Sequence, residues 1–512
     1  MLFTIVAYLF YSLFGLFLIT SVAEFCFSLR DDHREPRRVR PRVPLIGHVL
    51  GLWRHGPTYY SITSAIAGSE IYTLGAFDFK VYISASSRLL PFIQKYSKTL
   101  SFRPFLQLTA RKYGDATDRT FEIFGGALPD DLSHCVKMSL APGPYLDDLS
   151  LRMGERVLVD IDALMHSRKR TGNRFRLLEW ARHAVVQATS CAVYGKDHPF
   201  LDPDVEQAYW GWMTYLTAHL VGWLDFTGRG YALRRRVFQA YIKYCKTLPA
   251  DASHLMREHQ RTLEAAGVSV VDRAKQAAIF TIASFSNSAP TLYWTLWELY
   301  SRPGILAEVR QEVEENAIGR PSDGVFILDV AALKSRCPLL LSMFQETQRT
   351  RHINPSFRKV MADTLIDDRY LLKAGNYLQV PGSVIHREAG IWGEAAGDFD
   401  PYRFVQGKRS AGDPPPPVSG FVPWGAAPYL CPARQFAATE ILIVAALLVV
   451  RADIRPMGGT WERNPALNIS DLSTLSPPRR DIEMEIHARE SWAGTWSLKM
   501  GESRSRVSLA SG

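Results

Sequence analysis

The chain has 512 residues, of which 47% are apolar and 22% charged, so one large domain or two modest ones can bury a full core. The net charge of +9 comes without a basic low-complexity arm or a nucleic-acid-binding signature, which excludes a nucleic-acid partner and favours a membrane surface or an acidic redox partner. Six scattered cysteines without C-x-x-C pairs indicate neither a structural zinc site nor a disulfide framework, as is typical of a reducing compartment.

The N-terminus carries a long apolar run: residues 1–23 contain no charged side chain. About 20 apolar residues suffice to cross the bilayer core as a helix, so we predict a transmembrane anchor over residues 1–29. A cleaved signal peptide is the alternative, but no basic segment precedes the run and no small-x-small site closes it. Arginines cluster just beyond the run, which by the positive-inside rule keeps the rest of the chain in the cytosol. Residues 441–450 are too short for a second span and are predicted to form a buried helix.

The segment after the anchor, residues 30–47, is basic and contains Pro41 and Pro44, which favour a stiff, extended hinge. Apolar and polar residues then alternate over 70–84, which predicts a β-hairpin. The pattern is mainly helical from about 88 to 350, before short strands return. The sequence thus predicts an anchor, a hinge, one large mainly α domain with small β-sheets and a disordered tail, at residues 1–29, 30–47, 48–500 and 501–512.

One proline interrupts a central helical stretch. Pro290 lacks the N–H group that would bond the carbonyl of residue 286, and its ring crowds the preceding turn. We therefore expect this helix to be kinked or broken just before Pro290.

Cys431 lies in a Gly/Pro-rich loop directly before an apolar helical run. Such a loop frees backbone N–H groups to bond the sulfur, and the positive end of the following helix favours a thiolate. A thiolate bound to haem iron pushes electron density onto the metal and favours O–O cleavage. A buried structural cysteine is the alternative and is the commoner fate of a lone cysteine. The loop on its own fits both interpretations.

Three motifs in this order resemble those of the cytochrome P-450 superfamily: Glu346-Thr-Gln-Arg349, Pro401-Tyr-Arg403-Phe404, and the loop around Cys431. The resemblance covers essentially the whole chain. It implies the cytochrome P-450 fold with an N-terminal transmembrane helix, and heme b (iron protoporphyrin IX) as cofactor with Cys431 as the iron ligand. The hinge resembles that of microsomal members, so we expect a single-pass protein of the endoplasmic reticulum membrane with a cytosolic catalytic domain.

The resemblance also implies a structural network. Glu346 and Arg349 lie at i and i+3 and share a helix face. An exposed pair of this kind is worth well under about 1 kcal/mol. In the family the pair is buried and joined by an arginine at the position of Arg403, which fixes the cysteine loop. Removing one member would strand buried charge at a cost of about 3–5 kcal/mol.

Three further residues are candidates for binding the cofactor. Arg358 stands where the family often places an arginine that binds a haem propionate; a surface arginine is the alternative. Trp424 belongs to the cysteine loop, as does Tyr429, which replaces a usual cation and offers only a neutral hydrogen bond. The helix near residues 130–140 lacks the family's W-x-x-x-R and has only His134 and Lys137, which leaves the second propionate partner open.

The glycines of the cysteine loop depart from the family pattern. Ala427 and Ala433 replace glycines, and alanine does not readily adopt positive φ. We expect haem binding to survive because Gly425 is kept; a degenerate chain that loads haem poorly is the alternative.

The central helix departs further. Ser286 and Asn287 stand where most relatives have an acid and a threonine that relay protons to dioxygen, and we take both as candidate catalytic residues. Asn287 would orient a water for proton delivery or bond a peroxide oxygen; local backbone bonding is the alternative. The N-x-x-P-x-x-x-W pattern that ends at Trp294 resembles the branch containing sterol 7- and 12-hydroxylases and prostacyclin synthase.

The resemblance implies a haem-thiolate monooxygenase of filamentous-fungal type. Such an enzyme inserts one oxygen atom from O2 into a lipophilic terpenoid, steroid-like or polyketide-derived metabolite, with electrons from NADPH through NADPH–cytochrome P-450 reductase. A first alternative is an NADPH-independent isomerase or dehydratase of a peroxide substrate, which the missing acid–threonine pair permits. A second alternative is a non-catalytic haem-binding membrane protein. We expect no oligomer, and the sequence leaves the substrate open.

Overall fold

Helices make up most of the computed structural model, which describes residues 2–166, 173–408, 420–501 and 506–510. In chain order the helices are α1 (Leu2–Ser28), α2 (Gly47–His55), α3 (Tyr59–Ala67), α4 (Leu90–Lys95), α5 (Arg103–Lys112), α6 (Asp118–Phe124), α7 (Leu128–Ser139), α8 (Pro144–His166), α9 (Leu177–Tyr194), α10 (Pro203–Met213), α11 (Leu216–Val221), α12 (Arg229–Lys246), α13 (His254–Ala265), α14 (Val270–Phe285), α15 (Ser288–Tyr300), α16 (Pro303–Asn316), α17 (Val330–Arg336), α18 (Pro338–Arg351), α19 (Gly382–Ile385), α20 (Ala389–Trp392) and α21 (Arg434–Arg451). The mainly helical pattern expected from about residue 88 to 350 is therefore confirmed.

The strands are short and form small sheets beside the helices. They are β1 (Ile71–Ala76), β2 (Phe79–Ser84), β3 (Leu100–Ser101), β4 (Arg174–Arg176), β5 (Ile318–Ser322), β6 (Val325–Asp329), β7 (Pro355–Val360), β8 (Thr364–Ile366), β9 (Tyr370–Leu372), β10 (Tyr377–Pro381), β11 (Ala452–Pro456), β12 (Glu483–Ala488) and β13 (Thr495–Lys499). Their orders are β1-β2-β10-β7-β3, β11-β12-β4, β13-β6-β5 and β8-β9. The predicted hairpin is β1–β2, an antiparallel pair with Ile71 opposite Ser84.

The core is organised around α21, whose residues 441–450 are almost completely buried, as expected for an internal helix. This helix packs against α8, α15, α16, α17 and α18. Because its apolar side chains point in all directions, every face has to be covered by another element. The cysteine loop leads directly into α21, so the loop is attached to a helix that is buried over most of its length.

Helix α1 has the length and composition of a membrane span. Over Thr4–Ser28 the mean hydropathy is 2.1, and none of the most apolar window is buried in the protein. At 1.5 Å per residue its 25 residues extend for about 37 Å, enough for a bilayer core about 30 Å thick.

The hinge is held against the first sheet. The N–H of Val39 donates to the carbonyl of Thr73 (2.9 Å), and the N–H of Thr73 donates to the carbonyl of Arg37 (3.0 Å). The Thr73 hydroxyl donates to the carbonyl of Pro36 (2.7 Å). The segment therefore pairs with the edge of β1 rather than running free beside it.

A cluster of charged side chains reinforces this attachment. Lys80 on β2 lies 2.6 Å from Asp31 and 2.8 Å from Glu35, and Arg38 lies 2.9 Å from Asp31. Glu35 also accepts a hydrogen bond from the Tyr82 hydroxyl (2.7 Å). The four charged side chains are each at most 18% exposed, so these ion pairs are screened much less than pairs in open solvent. The sequence predicts a stiff hinge but not this ionic attachment.

The expected break in the central helix lies between α14 and α15, at Ser286 and Asn287. Pro290 provides no N–H for the carbonyl of Ser286, so one rung of the hydrogen-bond ladder is missing there. The ladder resumes with the N–H and the hydroxyl of Thr291, which both donate to the carbonyl of Asn287 (3.3 and 2.6 Å).

The end of the chain corrects part of one expectation. Val507 lies in the segment predicted to be a disordered tail, yet it is only 2% exposed. Its N–H and carbonyl both bond the side-chain amide of Gln435 (2.8 and 3.1 Å), and the N–H of Ala510 donates to Gln345 (2.6 Å). A buried valine and these amide bonds hold residues 506–510 against the helices; residues 502–505 and 511–512 of the tail lie outside the described residues.

Candidate active site

The loop that carries Cys431 is closed by its own backbone. The N–H of Cys431 donates to the carbonyl of Trp424 (2.9 Å), and the N–H of Tyr429 donates to the carbonyl of Ala426 (3.1 Å). Gly425 has φ +81°, in the left-handed region that favours glycine. This is the one position of the described loop that requires a glycine.

The two alanines that replace family glycines fit the loop as it stands. Ala433 has φ −88°, and Ala427 is not among the described residues with positive φ. A methyl group at either position therefore meets no left-handed backbone, which removes the reason for expecting a degenerate loop.

The Cys431 side chain is partly exposed and lies at the N-terminal end of α21. Burial of the sulfur raises the pKa of the Cys431 thiol, and the N–H of Ala433 together with the Arg434 guanidinium opposes that rise. A metal ion outweighs such effects, because a coordinating thiol is deprotonated outright. Among the described residues no group of three His, Cys, Asp or Glu side chains could hold a bare metal ion.

The predicted network of Glu346, Arg349 and Arg403 is present and buried. Glu346 accepts two hydrogen bonds of 2.7 Å from Arg349 and one of 3.2 Å from Nε of Arg403. It also accepts the backbone N–H of Asp400 (2.9 Å). Burial raises the pKa of Glu346, and its hydrogen bonds and charge interactions with the two arginines oppose that rise. The pair is therefore not a solvated surface pair.

The two arginines extend the network into the segment after α19. Arg349 donates to the carbonyls of His386, Ala396 and Asp398 at 2.6–2.8 Å. Arg403 donates to the carbonyl of Trp392 (3.1 Å). The network thus holds an irregular segment of the chain by its carbonyl groups, which otherwise lack partners in the core.

His386 connects this network to the cysteine loop. Its carbonyl accepts from Arg349, and its ring Nε2 accepts the N–H of Val422 (3.0 Å). Burial lowers the pKa of His386 well below its usual value, so the ring stays neutral and its nitrogen can accept a hydrogen bond. Sequence reasoning missed this residue, and its only signal was a histidine within an apolar segment.

Arg358 is a buried guanidinium beside the cysteine loop. It lies on β7, is 6% exposed, and reaches the carbonyl of Ala426 at 3.4 Å. Arg358 forms no ion pair with a carboxylate of the described residues, and burial lowers the pKa of its guanidinium to about 10. Buried charges are normally paired, so this cation suits an anionic group that the protein itself does not supply.

The two other candidate cofactor residues differ in what they offer. The Tyr429 ring lies 4.7 Å from the Arg358 guanidinium, and its hydroxyl donates to the carbonyl of Ser97 (3.1 Å). The hydroxyl proton of Tyr429 is therefore engaged by the protein itself. The Trp424 indole N–H, by contrast, is buried and has no partner among the described residues.

Asn287 lies at the break in the central helix. Its carboxamide oxygen accepts the N–H of Thr474 (2.8 Å), which ties the helix to a distant loop instead of to its own backbone. Its amide N–H groups make no hydrogen bond to a described residue, and the side chain is half-exposed. The Ser286 hydroxyl donates to the carbonyl of Ile282, so it retains only acceptor capacity. Next to the break, Ala283 is exposed on the face of α14 that other elements leave uncovered.

The helix expected near residues 130–140 is α7. His134 and Lys137 are both exposed on it, three residues apart and on one face. Neither pairs with an acid of the described chain, whereas Asp130 of the same helix pairs with Arg103. The missing W-x-x-x-R is thus replaced by two side chains without acidic partners.

Several known proteins resemble this chain in sequence or in fold. A cytochrome P450 family model matches residues 243–480. The cytochrome P450 monooxygenase nodJ of Hypoxylon pulicicidum is 31% identical over 94% of this chain and 95% of its own length. A cytochrome P450 monooxygenase of Gibberella zeae is 26% identical over 93% of each chain. The structure of retinoic acid-bound cyanobacterial CYP120A1 superposes with a TM-score of 0.68 over 89% of this chain and 99% of its own, and its 16% identity makes it similar in fold alone.

Proposed function

This chain belongs to the cytochrome P450 family, and on that basis we propose that it inserts one oxygen atom from O2 into a lipophilic small molecule of fungal secondary metabolism. It is a cytochrome P450 monooxygenase by its family and fold, and its cofactor is heme b. When bound, heme b supplies an iron whose thiolate ligand favours O–O cleavage. A terpenoid, steroid-like or polyketide-derived substrate fits this proposal, supported by the similarity to fungal monooxygenases.

The proposal rests on two features of the same loop. The Cys431 side chain is partly exposed, and beside the loop lies the buried guanidinium of Arg358, which has no carboxylate partner among the described residues. The residues present fit heme b. Cys431 would hold the iron, Arg358 would bind a propionate by charge-assisted hydrogen bonds, and the Trp424 indole N–H remains as a buried donor next to the cysteine.

The remaining residues act by position. Glu346, Arg349, Arg403 and His386 hold the cysteine loop in place and take no part in the chemistry themselves. We assign proton delivery to Asn287, whose amide N–H groups can orient a water while its oxygen stays on Thr474. A carboxamide does not titrate near neutral pH, so Asn287 holds the water that carries the proton and does not exchange the proton itself. Ser286 offers this water an acceptor.

We propose NADPH–cytochrome P-450 reductase as the electron donor and the endoplasmic reticulum membrane as the location, with the catalytic domain in the cytosol. Helix α1 supports the anchor, and the net charge of +9 suits both an anionic membrane surface and an acidic redox partner.

A second candidate function is the rearrangement of a peroxide without NADPH. It is favoured by one observation: Ser286 and Asn287 replace the acid and threonine of most relatives, and the free N–H groups of Asn287 are hydrogen-bond donors suited to a peroxide oxygen. Membership of a family of monooxygenases argues against the non-catalytic alternative.

The deciding experiment compares two reaction mixtures with the haem-loaded full chain. One contains reductase, NADPH and O2 with a panel of terpenoid, steroid and polyketide substrates; the other contains candidate hydroperoxides without NADPH or reductase. We expect oxygenated product that depends on NADPH in the first mixture. Turnover of a hydroperoxide in the second mixture, with no product in the first, would overturn the monooxygenase proposal in favour of the peroxide rearrangement.

A further inference from the structure

Glu440 is a buried carboxyl group that the chemistry described above does not use. It lies on α21, the helix that follows Cys431, and it is 1% exposed. Its Oε1 accepts a hydrogen bond of 2.6 Å from the hydroxyl of Thr189 on α9. The other oxygen, Oε2, is buried and accepts no well-aligned hydrogen bond from the described residues, although the hydroxyl of Ser288 lies beside the carboxyl.

The surroundings of Glu440 differ from those of two other buried glutamates. Glu298 and Glu346 each accept hydrogen bonds from two arginines, as buried carboxylates require. The groups that face Glu440 from the elements packed around it are hydroxyls, those of Thr189 and Ser288, and no charged side chain of the described residues contributes to its ionisation. Burial raises the pKa of Glu440 to about 8, and the two hydroxyls oppose this only in part.

Among the described residues no cation balances a carboxylate at this site, whereas a protonated carboxyl needs none. The neutral group has one O–H donor and keeps acceptor capacity on the other oxygen. With the proton on Oε2, Glu440 donates to Ser288 while Oε1 accepts from Thr189, so the otherwise unpartnered oxygen gains a partner. This chain of three residues joins α9, α21 and α15.

We propose that Glu440 is a positioning residue that works as a neutral acid, and that its hydrogen bonds to Thr189 and Ser288 hold the helix break at 286–287 in register with the helix that follows Cys431. Ser288 is the first residue of α15 and directly follows Asn287. The link therefore couples the helix that follows Cys431 to the segment that carries Asn287. Its effect on turnover rests on the proposed role of Asn287, but its protonation state and its structural effect do not.

The protonation state is tested by infrared difference spectroscopy of the haem-loaded full chain at pH 7. Glu440→Gln should remove one carbonyl stretching band of a protonated carboxyl group. Glu298→Gln is the matched control and should remove none, because the Glu298 carboxylate pairs with Arg302 and Arg351. If Glu440→Gln keeps every protonated-carboxyl band of the wild type, the proposal is overturned, whatever reaction the enzyme catalyses.

The pH dependence of stability provides a second test. The pKa of Glu440 in the fold, about 8, lies above the ordinary value of 4.5, so its contribution to stability is complete below pH 4.5 and is lost as the pH rises through 8. The midpoint of thermal unfolding of the wild type should therefore fall relative to that of Glu440→Gln as the pH rises from about 6 to about 9. Parallel pH profiles of the two proteins would contradict a neutral Glu440.

Positioning is tested with carbon monoxide as a probe, because the stretching band of carbon monoxide bound to the reduced haem reports on the side chains that face it. Glu440→Ala should shift or broaden this band, Ser288→Ala should do the same, and Glu440→Gln should restore the wild-type band. Where Glu440→Ala yields no folded protein, Ser288→Ala decides alone. An unchanged band in Ser288→Ala would overturn the positioning role.

Discussion

Asn287 is the residue at which this chain departs most from its family, and its partner is unexpected. A relay residue would be expected to keep its side chain free, yet the Asn287 oxygen is held by the N–H of Thr474, a residue of a distant loop. The side chain therefore has a fixed orientation, with its N–H groups left to bind a water. A held amide is better suited to orient a water than a rotating one, because no rotamer freedom has to be lost on binding.

We predict that Asn287→Leu still binds haem but yields less product per NADPH consumed, with electrons released as peroxide. A positioned proton donor typically contributes about 10²–10⁴-fold to rate, and the leucine offers no hydrogen bond. The measurement is the ratio of product to NADPH oxidised in the reductase-supported reaction. Ser284→Ala is the matched control on the helix that precedes the break, because among the described residues the Ser284 hydroxyl bonds only the carbonyl of Phe280. Equal ratios in the wild type and Asn287→Leu would refute the role of Asn287.

We predict that changing Arg358 weakens haem retention without lowering the stability of the haem-free protein. Arg358→Met should lose haem to an excess of apomyoglobin about 10- to 100-fold faster than the wild type, because a hydrogen bond to a charged group contributes about 1.5–3 kcal/mol. The free energy of unfolding of the haem-free chain should not fall, since the guanidinium there is buried without an acid.

Arg369→Met is the control for Arg358, since Arg369 also lies over a tyrosine ring but is exposed. Its haem loss should match that of the wild type. An unchanged rate in Arg358→Met, or a haem-free chain destabilised by several kcal/mol, would show that Arg358 serves the fold and not the propionate.

Residue types with a strong local chemistry were predictable, and their partners were not. The sequence singles out Cys431 and Glu346 because each stands in a family motif, and Arg358 because the family often has an arginine at that position. It does not reveal that the Tyr429 hydroxyl donates to Ser97, or that the Asn287 oxygen accepts from Thr474. These partners are 332 and 187 residues apart in the chain, and only the packing of the fold brings them together. Glu440 was overlooked for the same reason: a glutamate in an apolar helix gives no sign of its partners.

Among the elements, the cysteine loop depends on a chain of contacts that begins at the Glu346 network and ends at Val422. His386 is the middle of that chain, with its carbonyl on Arg349 and its ring on the loop. The network thus acts on the loop through one neutral imidazole and not by direct contact with the cysteine. This explains how a group of charges on α18 can control a residue that it does not touch.

We predict that His386→Phe lowers the fraction of reduced, carbon monoxide-bound protein that shows the thiolate-type Soret band, while total haem falls less. The phenyl ring fills the space but leaves the buried N–H of Val422 without an acceptor, which costs about 1–3 kcal/mol. Glu346→Ala serves as the severe comparison, because it strands two buried arginines and costs about 3–5 kcal/mol.

His386→Gln tests whether the acceptor itself matters, since its side-chain oxygen can take the place of Nε2. We expect it to recover part of the thiolate-type fraction that His386→Phe loses. A wild-type fraction in His386→Phe would mean that the loop is held by other contacts.

The break between α14 and α15 shows which features of an element are readable in advance. Pro290 predicts the break correctly because the missing N–H is a property of the residue itself. The ionic attachment of the hinge was not predicted, because Lys80 lies on a strand far along the chain from Asp31 and Glu35. Only the folded sheet brings these charges together.

At the scale of the whole molecule, helix α1 and several exposed aromatic side chains support the proposal of a membrane-bound protein. Trp53 is 83% exposed, Trp223 66% and Phe226 80%, although large aromatic side chains are rarely left in water. Tryptophan and other aromatic residues favour the membrane interface.

We predict that deleting residues 1–29 weakens but does not abolish binding to liposomes that contain anionic lipids, as measured by co-sedimentation. Residual binding should disappear when Trp53, Trp223 and Phe226 are also changed to serine, because these side chains supply the interfacial contact. The same three changes in the anchored chain are the control and should leave it membrane-bound. Secretion of the protein after cleavage near residue 29 would contradict a permanent membrane anchor.

The spectrum of the reduced protein with carbon monoxide tests the haem-thiolate site at Cys431 most directly. The wild type should show the strongly red-shifted Soret band of thiolate ligation. Cys431→Ala should lose that band, whereas Cys337→Ala, at a buried cysteine of the core, should keep it. A Cys431→Ala protein that keeps the red-shifted band would contradict the assignment of Cys431 as the iron ligand.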